Sequence, residues 1–159
     1  LRYGVKKFLA DSATAGVDGL IVPDLPPEEA GEIIAESVTA NIGNVFLIAP
    51  TTPADRMRTI DERSTDFSYC VSVTGVTGAR AELDENGSLD TFLQRVKANT
   101  KKPFVVGFGL SNARQIQHVW QWADGAVVGS ALLQAIQHAH SVDETVKRAA
   151  ELITSLRSI

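Results

Sequence analysis

Five short runs of apolar, largely β-branched residues recur along the chain, and each is followed by a stretch with helical periodicity. Runs that lack polar alternation are typical of parallel strands covered on both faces. Strands that alternate with helices at this spacing are joined by right-handed crossovers, which predicts an α/β fold with parallel strands. The predicted strands are residues 19–23, 44–49, 67–73, 103–107 and 125–129.

The helical stretches carry start and stop signals. A first helix over 2–15 is predicted to end at Gly16, and a second to run over 26–39. No linker or low-complexity tract interrupts the chain, so residues 1–159 are predicted to form a single structural unit. The predicted N-caps of three later helices are Thr52, Ser111 and Ser141. The side chains predicted to face inward include Ile33, Ile34, Val38, Ile116, Val119 and Trp120.

Composition excludes several classes of protein. The net charge of −4 and the pI near 5.3 argue against a nucleic-acid-binding surface. No apolar run reaches the roughly 18 residues of a membrane span, so no membrane contact is expected. The single cysteine, Cys70, excludes an internal disulfide, is predicted to be a buried inert thiol, and fits a reducing cytoplasm.

Glycines end the last two predicted strands. Gly109 and the pair Gly129–Ser130 each lie where a strand leads directly into a helix. Glycine lets the backbone approach a ligand, and the following N–H groups then point toward it, so the two strand ends together predict a phosphate site. The sequence Gly107-Phe-Gly109 also matches part of a dinucleotide fingerprint. Asn112 replaces its third glycine, however, which argues against a nucleotide-binding sheet.

The connection over 74–87 is much longer than the usual two to six residues or so of a strand-to-helix loop. We expect a lid at the carboxyl end of the strands, with a surface insertion as the alternative. Among carboxylates only Asp24 follows a strand, and the histidines His118, His138 and His140 fall in the last helical region. No cluster has the spacing of metal ligands or of a nucleophilic triad. The sequence thus predicts a phosphate pocket without its acid–base pair, and no metal.

Four motifs together carry a family resemblance: residues 16–29, 72–79, 103–111 and 125–130. They resemble, in the same order, motifs of the tryptophan synthase α chain family, and the match covers nearly the whole chain. The resemblance implies a partial (β/α)8 TIM barrel whose five parallel strands correspond to strands 4–8. Because the sequence begins at Leu1 rather than Met, we expect the first strands of the barrel to be missing.

The resemblance implies a lyase of tryptophan biosynthesis that cleaves indole-3-glycerol phosphate to indole and glyceraldehyde 3-phosphate. The family's catalytic glutamate and aspartate would lie upstream of Leu1, so no catalytic residue is assigned here. The positions that match substrate-binding residues of the family are Ile21, Tyr69, Thr77, Gly78, Gly107, Phe108, Gly109, Gly129 and Ser130.

The resemblance also implies a partner. Asp24 and Pro26 match a loop that faces the β subunit in an α2β2 heterotetramer. Pyridoxal phosphate belongs to that β subunit, and no cofactor is expected in this chain.

Two other functions stay open from the residues alone. One is another phosphate-binding barrel enzyme, and the other is a non-catalytic phosphate-binding or scaffold protein. Five parallel strands cannot close into a barrel, so we also expect the chain by itself to be marginally stable and to associate through its open edges.

Overall fold

The computed structural model describes residues 2–71, 88–107 and 109–157. Over these ranges helices alternate with strands, and a 3-10 turn (Pro27–Glu29) precedes the second helix. The helices are α1 (Val5–Thr14), α2 (Gly31–Ala40), α3 (Ala54–Arg63), α4 (Ser88–Asn99), α5 (Ala113–Val119), α6 (Ser130–Ile136) and α7 (Val142–Arg157). The strands are β1 (Gly19–Ile21), β2 (Gly43–Val45), β3 (Leu47–Ile48), β4 (Ser68–Val71), β5 (Phe104–Gly107) and β6 (Gly125–Ala126).

Every strand pair in the described ranges is parallel, as predicted. β1 pairs with β2 in one sheet, and the second sheet has the order β3-β4-β5-β6. The strands therefore neighbour one another in the order of the sequence, which is the arrangement that successive strand–helix units produce. The predicted α/β class is confirmed.

The strand predicted over 44–49 is divided at Phe46, which is a correction to the sequence analysis. The N–H of Phe46 donates to Ser64 Oγ (3.3 Å), while its carbonyl oxygen accepts from the N–H of Tyr69 (3.0 Å). The residues before Phe46 pair with β1, and those after it pair with β4. One apolar run thus serves both sheets.

The main core lies between the second sheet and the helices α3 and α4. Its most deeply buried members have at most 2% of their surface exposed, and burying such a side chain contributes about 1.5–3 kcal/mol. They include Ile48, Met57, Ile60, Cys70, Phe92, Leu93, Val96, Val106 and Val119. This packing fixes the strands whose ends carry the predicted site, and the predicted burial of Cys70 is confirmed.

The prediction that the first strand is covered on both faces is wrong. Ile21 is 47% exposed, and Val22, just after β1, is 38% exposed. Among the described strands β1 pairs only with β2, so it lies at a sheet edge. Its apolar composition therefore does not reflect burial within the described ranges.

Two inward-facing predictions are also wrong. Val38 is 78% exposed, because the buried side of α2 runs through Ile34 and Ser37 instead, and Ser37 Oγ donates to Asn44 Oδ1 (3.4 Å). Trp120 is 45% exposed because α5 ends one residue earlier, at Val119.

Two of the predicted N-caps are wrong as well. Thr52 Oγ1 accepts from the N–H of Ala49 (3.0 Å) in a turn, and α3 begins only at Ala54. Ser111 does not cap α5, since the cap is Asn112, whose Oδ1 accepts from the N–H of the third helical residue (3.0 Å). In each case the predicted capping residue precedes the actual N-cap by one position.

The remaining end signals agree with the structure. Ser141 Oγ accepts from the N–H of Glu144 (3.2 Å) at the start of α7, and Gly16, just past α1, has a φ of +84°. None of the helices in the described ranges combines the length and apolar character needed to span a bilayer.

Candidate functional site

The carboxyl ends of β4, β5 and β6 meet at one edge of the second sheet. Tyr69 pairs with Val105, and Val105 pairs in turn with Gly125. Gly109 and Gly129 each lie four residues beyond the paired residues Val105 and Gly125. Because neighbouring parallel strands run in step, the two predicted phosphate-binding glycines follow adjacent strands at the same level.

The backbone N–H groups at these strand ends are available to a ligand. Within the described ranges, the N–H groups of Gly109, Gly129 and Ser130 donate to no backbone or side-chain acceptor. All three residues are exposed, and Gly109 has a φ of +87°, which side chains rarely adopt. Backbone N–H groups on neighbouring segments that have no acceptor among the described residues are the kind of donor that binds tetrahedral anions.

The side chain of Tyr69, on β4, lies against Gly107 of the neighbouring strand β5. A Cβ built on Gly107 would be 1.8 Å from the Tyr69 hydroxyl oxygen and 2.4 Å from Cζ. Glycine at this position is therefore what makes room for the phenol ring. Burial raises the pKa of the Tyr69 hydroxyl above its ordinary value, so the phenol keeps its proton further into the alkaline range than a free tyrosine and can act as a hydrogen-bond donor.

The turn between β5 and α5 is held by Gln115, a residue that the sequence analysis did not single out. The N–H of Ser111 donates to Gln115 Oε1 (2.8 Å), and the N–H of Gln115 donates to Asn112 Oδ1 (3.0 Å). This is a capping box that reaches one residue further back than usual, and the Asn-x-x-Gln spacing is the signal that could have revealed it.

A second group of predicted residues follows β1, the strand that forms the first sheet together with β2. Asp24 and Pro26 line a cavity of about 200 Å³ together with residues of β3 and α3. From α3, Arg56 forms two hydrogen bonds with Glu28 (2.7 and 3.0 Å). Arg63 donates to the carbonyl oxygen of Pro27 (2.7 Å). Helix α3 thus fixes the segment that was predicted to face a partner.

The other candidates divide into those outside the described ranges and those away from the strand ends. Thr77, Gly78 and Phe108 lie outside the described residues, as does the predicted lid over 74–87. His118 is on α5 beside Asp90, and the remaining two histidines lie between α6 and α7. Burial raises the pKa of the Cys70 thiol to about 12, which makes it a poor nucleophile. The described residues contain no group of three or more side chains suited to a metal ion.

Parallel strands in sequential order that alternate with helices, β2 and β3 counting as one divided strand, define a barrel-type α/β protein. A sequence model of the family "Tryptophan synthase alpha chain" matches residues 1–158, and the chain belongs to that family. The α chain of Chlorobium phaeovibrioides is 48% identical over 159 residues, and that of Pelodictyon phaeoclathratiforme is 47% identical over 160. Each alignment covers 99% of this chain, which spans about 60% of the length of these curated relatives.

Solved structures agree with the sequence comparison. A chain of the tryptophan synthase α2β2 complex from Pyrococcus furiosus superimposes with a TM-score of 0.87 at 36% identity. That superposition covers 99% of this chain and 62% of the other. A chain of Mycobacterium tuberculosis tryptophan synthase gives a TM-score of 0.81 at 38% identity, covering 98% and 56% of the two chains. The predicted partial (β/α)8 barrel is confirmed.

Proposed function

We propose that this chain supplies the phosphate-binding side of a lyase that cleaves indole-3-glycerol phosphate to indole and glyceraldehyde 3-phosphate in tryptophan biosynthesis. The observation that carries the proposal is the set of N–H groups on Gly109, Gly129 and Ser130, which follow neighbouring strands and have no acceptor among the described residues. The proposal is supported by membership in the tryptophan synthase α chain family. Thr77 and Gly78, from the long connection, are proposed to complete the phosphate site.

The reaction is a retro-aldol cleavage. The bond between indole C3 and the first glycerol carbon breaks, C3 takes up a proton, and the hydroxyl on that glycerol carbon loses its proton as the aldehyde forms. Holding the phosphate fixes the glycerol chain, so that the breaking bond keeps one orientation relative to the acid and the base. The phosphate does not react, and its binding energy serves orientation. Ile21, Tyr69, Gly107 and Phe108 are proposed to line the remainder of the substrate pocket.

We further propose that the catalytic glutamate and aspartate lie in the part of the family sequence that this chain does not match. A single general acid or base contributes about 10²–10⁴-fold to a rate. This chain alone should therefore release indole from indole-3-glycerol phosphate at a negligible rate. An assay of indole formation checks this, and steady turnover by the purified chain would contradict it.

The proposed partner is the tryptophan synthase β subunit, because a chain of the tryptophan synthase α2β2 complex from Pyrococcus furiosus superimposes on this chain. Asp24 and Pro26 are proposed to face it from the segment that Arg56 and Arg63 hold in place. Pyridoxal phosphate is proposed to belong to the β subunit, with no cofactor in this chain, and the cytoplasm is the proposed compartment.

Titration calorimetry with glycerol 3-phosphate tests the phosphate site. Replacing Ser130 with Asp places a negative charge beside the three N–H groups and should weaken binding about fivefold or more, since like charges about 4 Å apart repel by about 1 kcal/mol or more. Ser155→Asp, on the exposed side of α7, is the matched control and should leave binding unchanged.

A second titration, with the β subunit, separates the proposed lyase chain from a phosphate-binding scaffold. The scaffold should bind glycerol 3-phosphate and ignore the β subunit. Equal affinity of the wild type and the Ser130→Asp variant for glycerol 3-phosphate would contradict the proposed site.

A further inference from the structure

Gln115 is buried although it lies in the first turn of a helix. Its side chain is 6% exposed, and its Oε1 accepts from both the N–H (2.8 Å) and the hydroxyl (3.3 Å) of Ser111. Within the described part of the chain, its Nε2 has no hydrogen-bond partner. Among the described residues, the buried amide is therefore hydrogen-bonded through its oxygen only.

A half-satisfied buried amide is unfavourable compared with an apolar side chain of the same length. Ile116 and Val119 already supply the apolar contacts of α5, with 4% and 0% of their surface exposed. Packing alone would thus favour methionine or leucine at position 115. The feature that an apolar residue could not provide is the acceptor for Ser111.

The turn that this acceptor holds contains Gly109. Leu110, between Gly109 and Ser111, is 3% exposed and anchors the turn in the core. Ser111 is fixed from the other side by Gln115 Oε1, and Gln115 is itself tied to the cap residue Asn112. Gly109 keeps its left-handed φ of +87° next to these two anchors, so the direction of its exposed N–H depends on them.

We propose that Gln115 is a positioning residue that sets anion affinity, because it holds the turn of residues 109–111 with the Gly109 N–H directed at the phosphate. This inference rests on the proposed phosphate site. Gln115 itself acts through Ser111 and the turn, so its effect should appear in binding as well as in stability. Preorganised donors bind an anion more tightly than donors that must first be ordered.

The first test compares Gln115→Met, which keeps the length but removes the acceptor, with Gln121→Met, an exposed position just beyond α5. Calorimetry with glycerol 3-phosphate should show about three- to tenfold weaker binding for Gln115→Met, the equivalent of one hydrogen bond, and no change for the control. A purely structural role would lower the unfolding midpoint of Gln115→Met and leave the dissociation constant unchanged. That result would overturn the inference while leaving the phosphate site in place.

The second test needs no variant, so it holds even where Gln115→Met fails to fold. Amide hydrogen exchange is followed by NMR on the ¹⁵N-labelled wild-type chain. The Ser111 N–H should be protected already without ligand, and the Gly109 N–H should become protected only when glycerol 3-phosphate is added. An unprotected Ser111 N–H in the free protein would overturn the inference. Failure of the wild type to bind glycerol 3-phosphate would instead remove the proposed function on which it rests.

Discussion

The phenol ring of Tyr69 occupies the space that a side chain at position 107 would need. Gly107→Ala would place a methyl group 1.8 Å from the hydroxyl oxygen, so the ring must rotate away. We expect a loss of about 1–3 kcal/mol in the free energy of unfolding, as for other overpacked sites. Because burial raises the Tyr69 pKa, a displaced and more exposed ring should titrate at lower pH than in the wild type.

Ultraviolet titration of the phenol measures this shift. The chain has two tyrosines, so a Tyr3→Phe background leaves Tyr69 as the only phenol. Gly31→Ala is the control, because a Cβ there meets nothing within 4 Å. An unchanged Tyr69 titration in Gly107→Ala would show that the ring does not depend on the glycine.

Cys70 should make stability depend on alkaline pH. Its pKa rises from 9.0 to about 12 on folding because burial disfavours the thiolate. Below pH 9 both states hold the proton and this stabilisation is fully present. Between pH 9 and about 12 the unfolded thiol ionises first, so up to about 4 kcal/mol is lost. Urea unfolding at several pH values should therefore show a steeper alkaline decline for the wild type than for Cys70→Ala. Parallel declines would contradict the expected contribution.

At the scale of elements, the helices hold the strand-end segments through arginines. Arg95 of α4 donates to the carbonyl oxygens of Pro50 (3.1 Å) and Thr52 (2.7 Å), in the connection between β3 and α3. Arg95→Met keeps the aliphatic stem and removes both charge-assisted bonds, so about 1–3 kcal/mol of stability should be lost. Lys97→Met, exposed on the same helix, is the control in urea unfolding. Equal midpoints for the two variants would exclude this role for Arg95.

The order of the elements could be predicted because each apolar run and each helical stretch is a local signal. The division of the second strand at Phe46 could not, because it depends on Ser64, eighteen residues away in the chain. The glycine-ended strands were likewise visible locally, and Asn112-x-x-Gln115 carried a cap signal that was overlooked. The contact of Tyr69 with Gly107 depends on the register between β4 and β5, which cannot be deduced from the sequence.

At the scale of the whole molecule, the first and last described strands, β1 and β6, are both edge strands. Ile21 of β1 is 47% exposed, and Leu133, in the helix that follows β6 in the chain, is 65% exposed. Unpaired strand edges beside apolar side chains favour pairing with another chain. We therefore expect this chain, studied by itself, to self-associate as its concentration is raised.

A charge on the edge tests this expectation. Ile21→Lys introduces a lysine at β1, the device by which natural edge strands avoid pairing, and should shift the population toward monomer. Val38→Lys removes an apolar side chain of α2 that is more exposed than Ile21 (78% against 47%) but does not lie on a strand, and should leave association almost unchanged. Sedimentation velocity over a range of concentrations measures both. A wild-type chain that stays monomeric, with one sharp thermal transition, would show that the open edges are not what limits its stability.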